Sequence, residues 1–114
     1  MRTALKQSWV SVGSDGSSPT PQTRAENTAV HPRSYGTFPR VFAKYVREER
    51  TLTLEDAVRK LTSFPARRFK LGNRGLLVPG YAADLVVFDP DTIRDTATYE
   101  DPRQFPAGIS HVMT

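Results

Sequence analysis

Residues 72–90 read GNRGLLVPGYAADLVVFDP, and the fold turns on how this stretch is understood. Apolar runs at 76–78 (Leu-Leu-Val) and 85–88 (Leu-Val-Val-Phe) flank a Pro79-Gly80 pair and the small residues Ala82 and Ala83. Proline fixes φ and glycine accepts φ > 0, so the pair fits the two central positions of a type II turn. The second run is β-branched and aromatic, and Asp89-Pro90-Asp91 closes it. Physical chemistry alone predicts two strands and a turn.

Upstream, Phe38, Val41, Phe42, Tyr45 and Val46 recur at helical spacing, which predicts an amphipathic helix with Pro39 in its first turn. Thr53 is a good N-cap for a second helix, with Asp56 three residues on, and Leu54, Ala57, Val58 and Leu61 make its apolar stripe. Pro65 stops that helix or opens a further short turn. Near the start, residues 8–14 (SWVSVGS) alternate as a strand does, with Val10 and Val12 on one face. Trp9, Ser11, Gly13 and Asp15 fall on the other. After the 85–88 run, residues 92–107 read as an irregular linker, and residues 108–114 (GISHVMT) begin like a strand.

Taken in order, Thr62-Ser63-Phe64-Pro65-Ala66, Leu71-Gly72, Gly75-Leu76-Leu77, Pro79-Gly80 and Ala83-Asp84-Leu85-Val86-Val87-Phe88-Asp89 resemble the C-terminal signature of the amidohydrolase superfamily. The resemblance implies an α/β fold. It would hold the last strand, loop and helices of a metal-dependent (β/α)8 barrel, then C-terminal strands of a small composite β-sandwich. Residues 1–71 would be the barrel part, with a strand at 8–16, a substrate loop at 16–37 and helices at 38–50 and 54–70. Residues 72–114 would return to the sandwich. Such a fold is incomplete, and the long unpatterned stretch 16–40 also argues that the chain is a piece of something larger.

Composition bounds the partners. Sixteen Lys and Arg against 12 Asp and Glu leave a net charge of +4 over 114 residues, with the basic residues scattered. Arg67-Arg68-Phe69-Lys70 is too short a cluster for a nucleic-acid footprint. With no Cys, disulfides and thiolate metal sites are excluded within the chain, and a cytoplasmic location is expected. No apolar run reaches the length of a membrane span, so neither a membrane nor a nucleic acid is an expected partner.

The chemistry gathers around Ser14-Asp15-Gly16, at the expected strand's C-terminal end, where barrel enzymes place catalytic groups. Asp-Gly also suits a turn, so Asp15 has an alternative role as a cap of the following loop. His31-Pro32-Arg33-Ser34-Tyr35-Gly36-Thr37-Phe38-Pro39-Arg40 closely resembles a loop of the N-acyl-D-amino-acid deacylases, also called D-aminoacylases. Ala97-Thr98-Tyr99-Glu100-Asp101-Pro102 and Pro106-Ala107-Gly108-Ile109 share that resemblance. It implies a zinc-dependent hydrolase that cleaves the amide of N-acyl-D-amino acids. Asp15 would be the acid/base, taking a proton from the attacking water and passing it to the leaving amine, and would also belong to the metal site. Arg33 would hold the substrate α-carboxylate through paired charge-assisted hydrogen bonds, and His31 would shape the pocket. Tyr35, Phe38 and Arg40 read as scaffolding, and Asp84 as a residue fixing turn geometry.

His31 and His111 are the only two histidines, far apart, so Asp15 offers a partial zinc site whose other ligands the chain lacks. The isolated chain is therefore expected to hold no zinc, to be inactive and to need a missing N-terminal part of the fold. Rival assignments are another amidohydrolase of dihydroorotase or hydantoinase type, or a non-catalytic remnant or interaction module. Residues 17–30 depart from the deacylase loop.

Overall fold

The helical layer begins with α1 (Arg2–Leu5) and continues with α2 (Arg33–Arg40), which runs directly into a π-helical segment (Val41–Glu48). α3 (Leu54–Leu61) and α4 (Ser63–Arg68) complete it, and two strands follow, β1 (Leu85–Phe88) and β2 (Ile109–Met113). This is a computed structural model, which describes residues 1–17 and 30–114. Most of the expected substrate loop, residues 18–29, lies outside the described residues.

The helix expected at 38–50 starts at Arg33 instead. Pro32 supplies a helical φ of −51° at the N-cap, and the His31 ring accepts the Arg33 N–H at 3.0 Å, satisfying a donor the first turn leaves open. Pro39 therefore lies inside α2, not in its first turn. Having no N–H, it cannot continue the ladder, and the helix beyond it widens. Glu49 N–H reaches the Lys44 carbonyl, five residues back, at 2.8 Å. The apolar pattern still faces inward. Val41 and Phe42 are buried, with Tyr45 and Val46 packed on them, whereas Phe38 is exposed.

The second expected helix, 54–70, is two helices. Thr53 caps α3 as its sequence predicts, its hydroxyl accepting Asp56 N–H at 3.2 Å. Thr62 breaks the run with φ −129° and ψ −88°, and α4 then carries Pro65 in its first turn, where no helical N–H bond is lost. Ala57 is fully buried, Leu54 and Leu61 pack on the core, and Val58 lies at the surface.

Residues 78–81 form the expected type II turn, with Gly80 at φ 86° and Tyr81 N–H bonded to the Val78 carbonyl at 3.2 Å. The expected strand at 76–78 does not form. β1 pairs instead with β2, antiparallel, with Leu85 opposite Met113 and Phe88 opposite Ile109. A register shift between Val87 and Phe88 makes the pair irregular. The segment between them is closed by a bridge of Arg94 and Ala107. Gly108, at φ 80°, passes so close to Ile93 that a Cβ would meet its backbone at 2.4 Å. The local hairpin lost because the 92–107 segment folds back, inserting Ile93 as a core residue.

One apolar cluster joins Leu5, Val41, Phe42, Leu52, Ala57 and Ile93, with Val12, Phe88 and Ile109 against it. Phe42 and Phe88 stack with ring centroids 4.8 Å apart. The core thus draws side chains from both sides of residue 71.

At the end of β1, the Asp89 carboxylate accepts Asp91 N–H and the Thr92 hydroxyl, each at 2.9 Å. These bonds, the backbone one foremost, hold its pKa below the ordinary carboxylate value. A lowered folded pKa stabilises fully above the unfolded value and loses that contribution as pH falls through the folded one. Urea midpoints of Asp89→Asn and the parent are expected to converge on acidification below about pH 4. A gap that stays constant down to pH 2 or so would contradict this.

Candidate active site

Residues 8–16, expected as a strand, have no ladder among the described residues. The segment is held by α3 instead. Lys60, fully buried, donates from Nζ to the carbonyls of Gln7 (2.5 Å) and Val10 (3.0 Å). Arg59 donates to the Ser8 carbonyl at 3.0 Å, and the Ser11 hydroxyl to the Lys60 carbonyl at 2.9 Å. A lone extended segment needs such bonds, because its N–H and C=O groups have no neighbouring strand. Val12 turns inward to the core, and Trp9 outward to solvent.

This anchored segment delivers Asp15, which takes a left-handed φ of 49°. Gly16 follows and lies against the first turn of α2, where a Cβ would meet Ser34 Cα at 2.9 Å. Only glycine allows that approach, and the approach brings Asp15 to Arg33. Arg33 Nη1 stands 3.1 Å from Asp15 Oδ2, with side chains 45% and 89% exposed. The two leading sequence candidates meet in space. Gly16→Ala is expected to part them.

His31 sits two residues before Arg33 and touches Tyr99 edge-on, with ring centroids 5.2 Å apart. Arg40, at the other end of α2, bonds Asp95 at 2.8 Å, which together with the nearby carboxylate charge raises the guanidinium pKa. His31, Arg33, Gly36, Arg40, Asp95 and Tyr99 help to bound an open cleft of about 450 Å³. Asp84, read as a structural residue, pairs with Arg74 away from this cleft. Asp95 and the buried Lys60 carry no local signal in the sequence. Tyr99 lies in a motif that resembles the deacylases, but nothing in its spacing points to His31.

A structural zinc site takes four ligands and a catalytic one three protein ligands plus water. Among the described residues no three His, Cys, Asp or Glu side chains converge. Asp15 contributes one carboxylate, so the described residues do not by themselves fit the ion.

A family model described as the amidohydrolase family matches residues 2–114. The chain belongs to that family. N-acyl-D-glutamate deacylase of Alcaligenes xylosoxydans xylosoxydans is 49% identical over 102 residues, covering 90% of this amidohydrolase chain and 20% of that protein. D-aminoacylase of the same organism is 55% identical over 82 residues, 72% of this chain and 17% of that one. A solved N-acyl-D-glutamate deacylase from Bordetella bronchiseptica, complexed with zinc and a phosphonate mimic of the tetrahedral intermediate, matches with a TM-score of 0.86. Its identity is 43%, over 98% of this chain and 22% of that one. The amidohydrolase chain spans 17–22% of the length of these relatives.

Proposed function

We propose that this amidohydrolase segment closes the barrel of an N-acyl-D-amino-acid deacylase, supplying Asp15 as acid/base and Arg33 as the clamp for the α-carboxylate. The observation that carries this is the 3.1 Å approach of Arg33 to Asp15. Amide hydrolysis needs a carboxylate to accept a proton from water and return it to the leaving amine. It also needs the substrate held so that the amide meets that carboxylate. An exposed ion pair is worth only about 0–1 kcal/mol. A substrate carboxylate can therefore take over the guanidinium at little cost, leaving Asp15 to face the reacting amide. Zinc belongs to the proposal for the complete protein, where Asp15 would share it with ligands outside this chain.

Large apolar side chains left uncovered support a surface that further polypeptide covers. Leu77 is 84% exposed, Phe69 73% and Trp9 70%. The isolated chain is expected to release no D-amino acid with or without added zinc. Zinc-dependent release by the purified chain would overturn that expectation.

In the full-length protein, Arg33→Met is expected to raise KM for an N-acyl-D-amino acid by about 10- to 100-fold with kcat little changed. The assay includes dihydroorotate, which is expected not to react. An unchanged KM would remove Arg33 from the site, and turnover of dihydroorotate alone would replace the deacylase proposal.

A further inference from the structure

We infer that Tyr99 is a positioning residue for Arg33, acting through His31, so that a strap at residues 95–105 sets where the clamp for the substrate carboxylate points. This rests on Arg33 being that clamp. The Arg33 backbone N–H donates to His31 Nδ1 at 3.0 Å. That nitrogen is therefore unprotonated, and in the neutral ring the proton sits on Nε2. Nε2 lies 3.5 Å from the Tyr99 hydroxyl, and the two rings meet at an interplanar angle of 76°. An exposed imidazole with a single partner swings on its rotors. The second contact fixes it, and through it the first turn of α2.

Tyr99 is itself fixed. Thr98 N–H bonds the Asp101 carbonyl and Asp101 N–H the Thr98 hydroxyl, each at 3.0 Å. The strap grips α2 at two further points, where Asp95 bonds Arg40 and Phe105 meets Tyr35 edge-on at 5.8 Å. Gly36 allows the closeness, since a Cβ there would meet Asp95 Cβ at 2.9 Å. Grip at positions 31, 35 and 40 spans the whole helix. Tyr99 is 77% exposed, so it buries too little surface to matter much for stability. Its effect falls on geometry, and a paired guanidinium–carboxylate contact is sensitive to orientation.

The test uses the full-length protein. Tyr99→Ala is expected to raise KM for an N-acyl-D-amino acid about tenfold while kcat stays within about twofold. The matching N-acyl-D-amino-acid amide, which has no carboxylate, should be cleaved as by the parent. Tyr99→Phe keeps the ring contact but not the hydroxyl, and should raise KM less than Tyr99→Ala does. The double variant with His31→Ala should be no worse than His31→Ala alone. Amide exchange at Arg33 should quicken in Tyr99→Ala and to a lesser degree in Tyr99→Phe. Equal losses on acid and amide substrates, or an unchanged KM, would overturn the inference. If no N-acyl-D-amino acid is cleaved at all, the deacylase proposal falls, and amide exchange still decides the His31 link. Unchanged exchange overturns it whatever the activity.

Discussion

Asp15→Asn in the full-length protein lowers kcat by about 10²–10⁴-fold, the range a positioned general acid–base contributes. The substitution keeps the side chain's shape and one oxygen toward Arg33, so the chain path through Gly16 is preserved. What it removes is the ability to take a proton from water and return it to the amine. KM should change far less than kcat, because Arg33 remains to hold the carboxylate. A variant that keeps most of its kcat would return Asp15 to the role of a loop cap.

Lys60→Met has the largest expected effect on folding. Methionine fills nearly the same volume, so the loss is of hydrogen bonds and not of packing. The carbonyls of Gln7 and Val10 lose the ammonium that reaches them at 2.5 and 3.0 Å. A fully buried acceptor left unsatisfied costs about 1–3 kcal/mol, so these two, partly buried, together cost about that much. Asp56, 3.8 Å from the ammonium, still has Arg59 at 2.9 Å, which limits the penalty on that side. Urea unfolding of the full-length protein should show a clearly lowered midpoint. Because residues 7–11 lead to Asp15, activity should fall as well, at denaturant concentrations where the rest of the protein is folded. An unchanged midpoint would mean that the segment is secured by Arg59 and Ser11 alone.

Much of the local structure was legible because its causes are local. Pro79-Gly80 dictates a type II turn, and Thr53 caps a helix, through bonds spanning three residues each. The failures have a shared cause. The 76–78 strand gave way because β1 found its partner beyond residue 108, in β2. The start of α2 was hidden because residues 16–37 read as a loop. In fact Pro32 suits a helix start, and Gly36 makes room for Asp95. Lys60 counted among the scattered basic residues, and only the fold shows it buried and bonded to carbonyls from residues 7 and 10.

The candidate site divides in the same way. Asp15, His31 and Arg33 were recognisable as residue types in motifs, since a carboxylate after Ser14 and a guanidinium after His-Pro carry their chemistry in their names. The 3.1 Å meeting of Asp15 with Arg33 was not. It depends on Gly16 passing Ser34, a close approach between chain segments that spacing along the polypeptide does not encode. Nor was the strap visible, because its contacts at His31, Tyr35 and Arg40 each join residues far apart in the chain. The sequence by itself determined the turns, the caps, the apolar stripes and the chemical groups on offer, all set by forces that act within a few residues. Tertiary structure alone decided which strand pairs with which, which charge is buried and which groups face one another, because those outcomes are set by long-range packing around a common core.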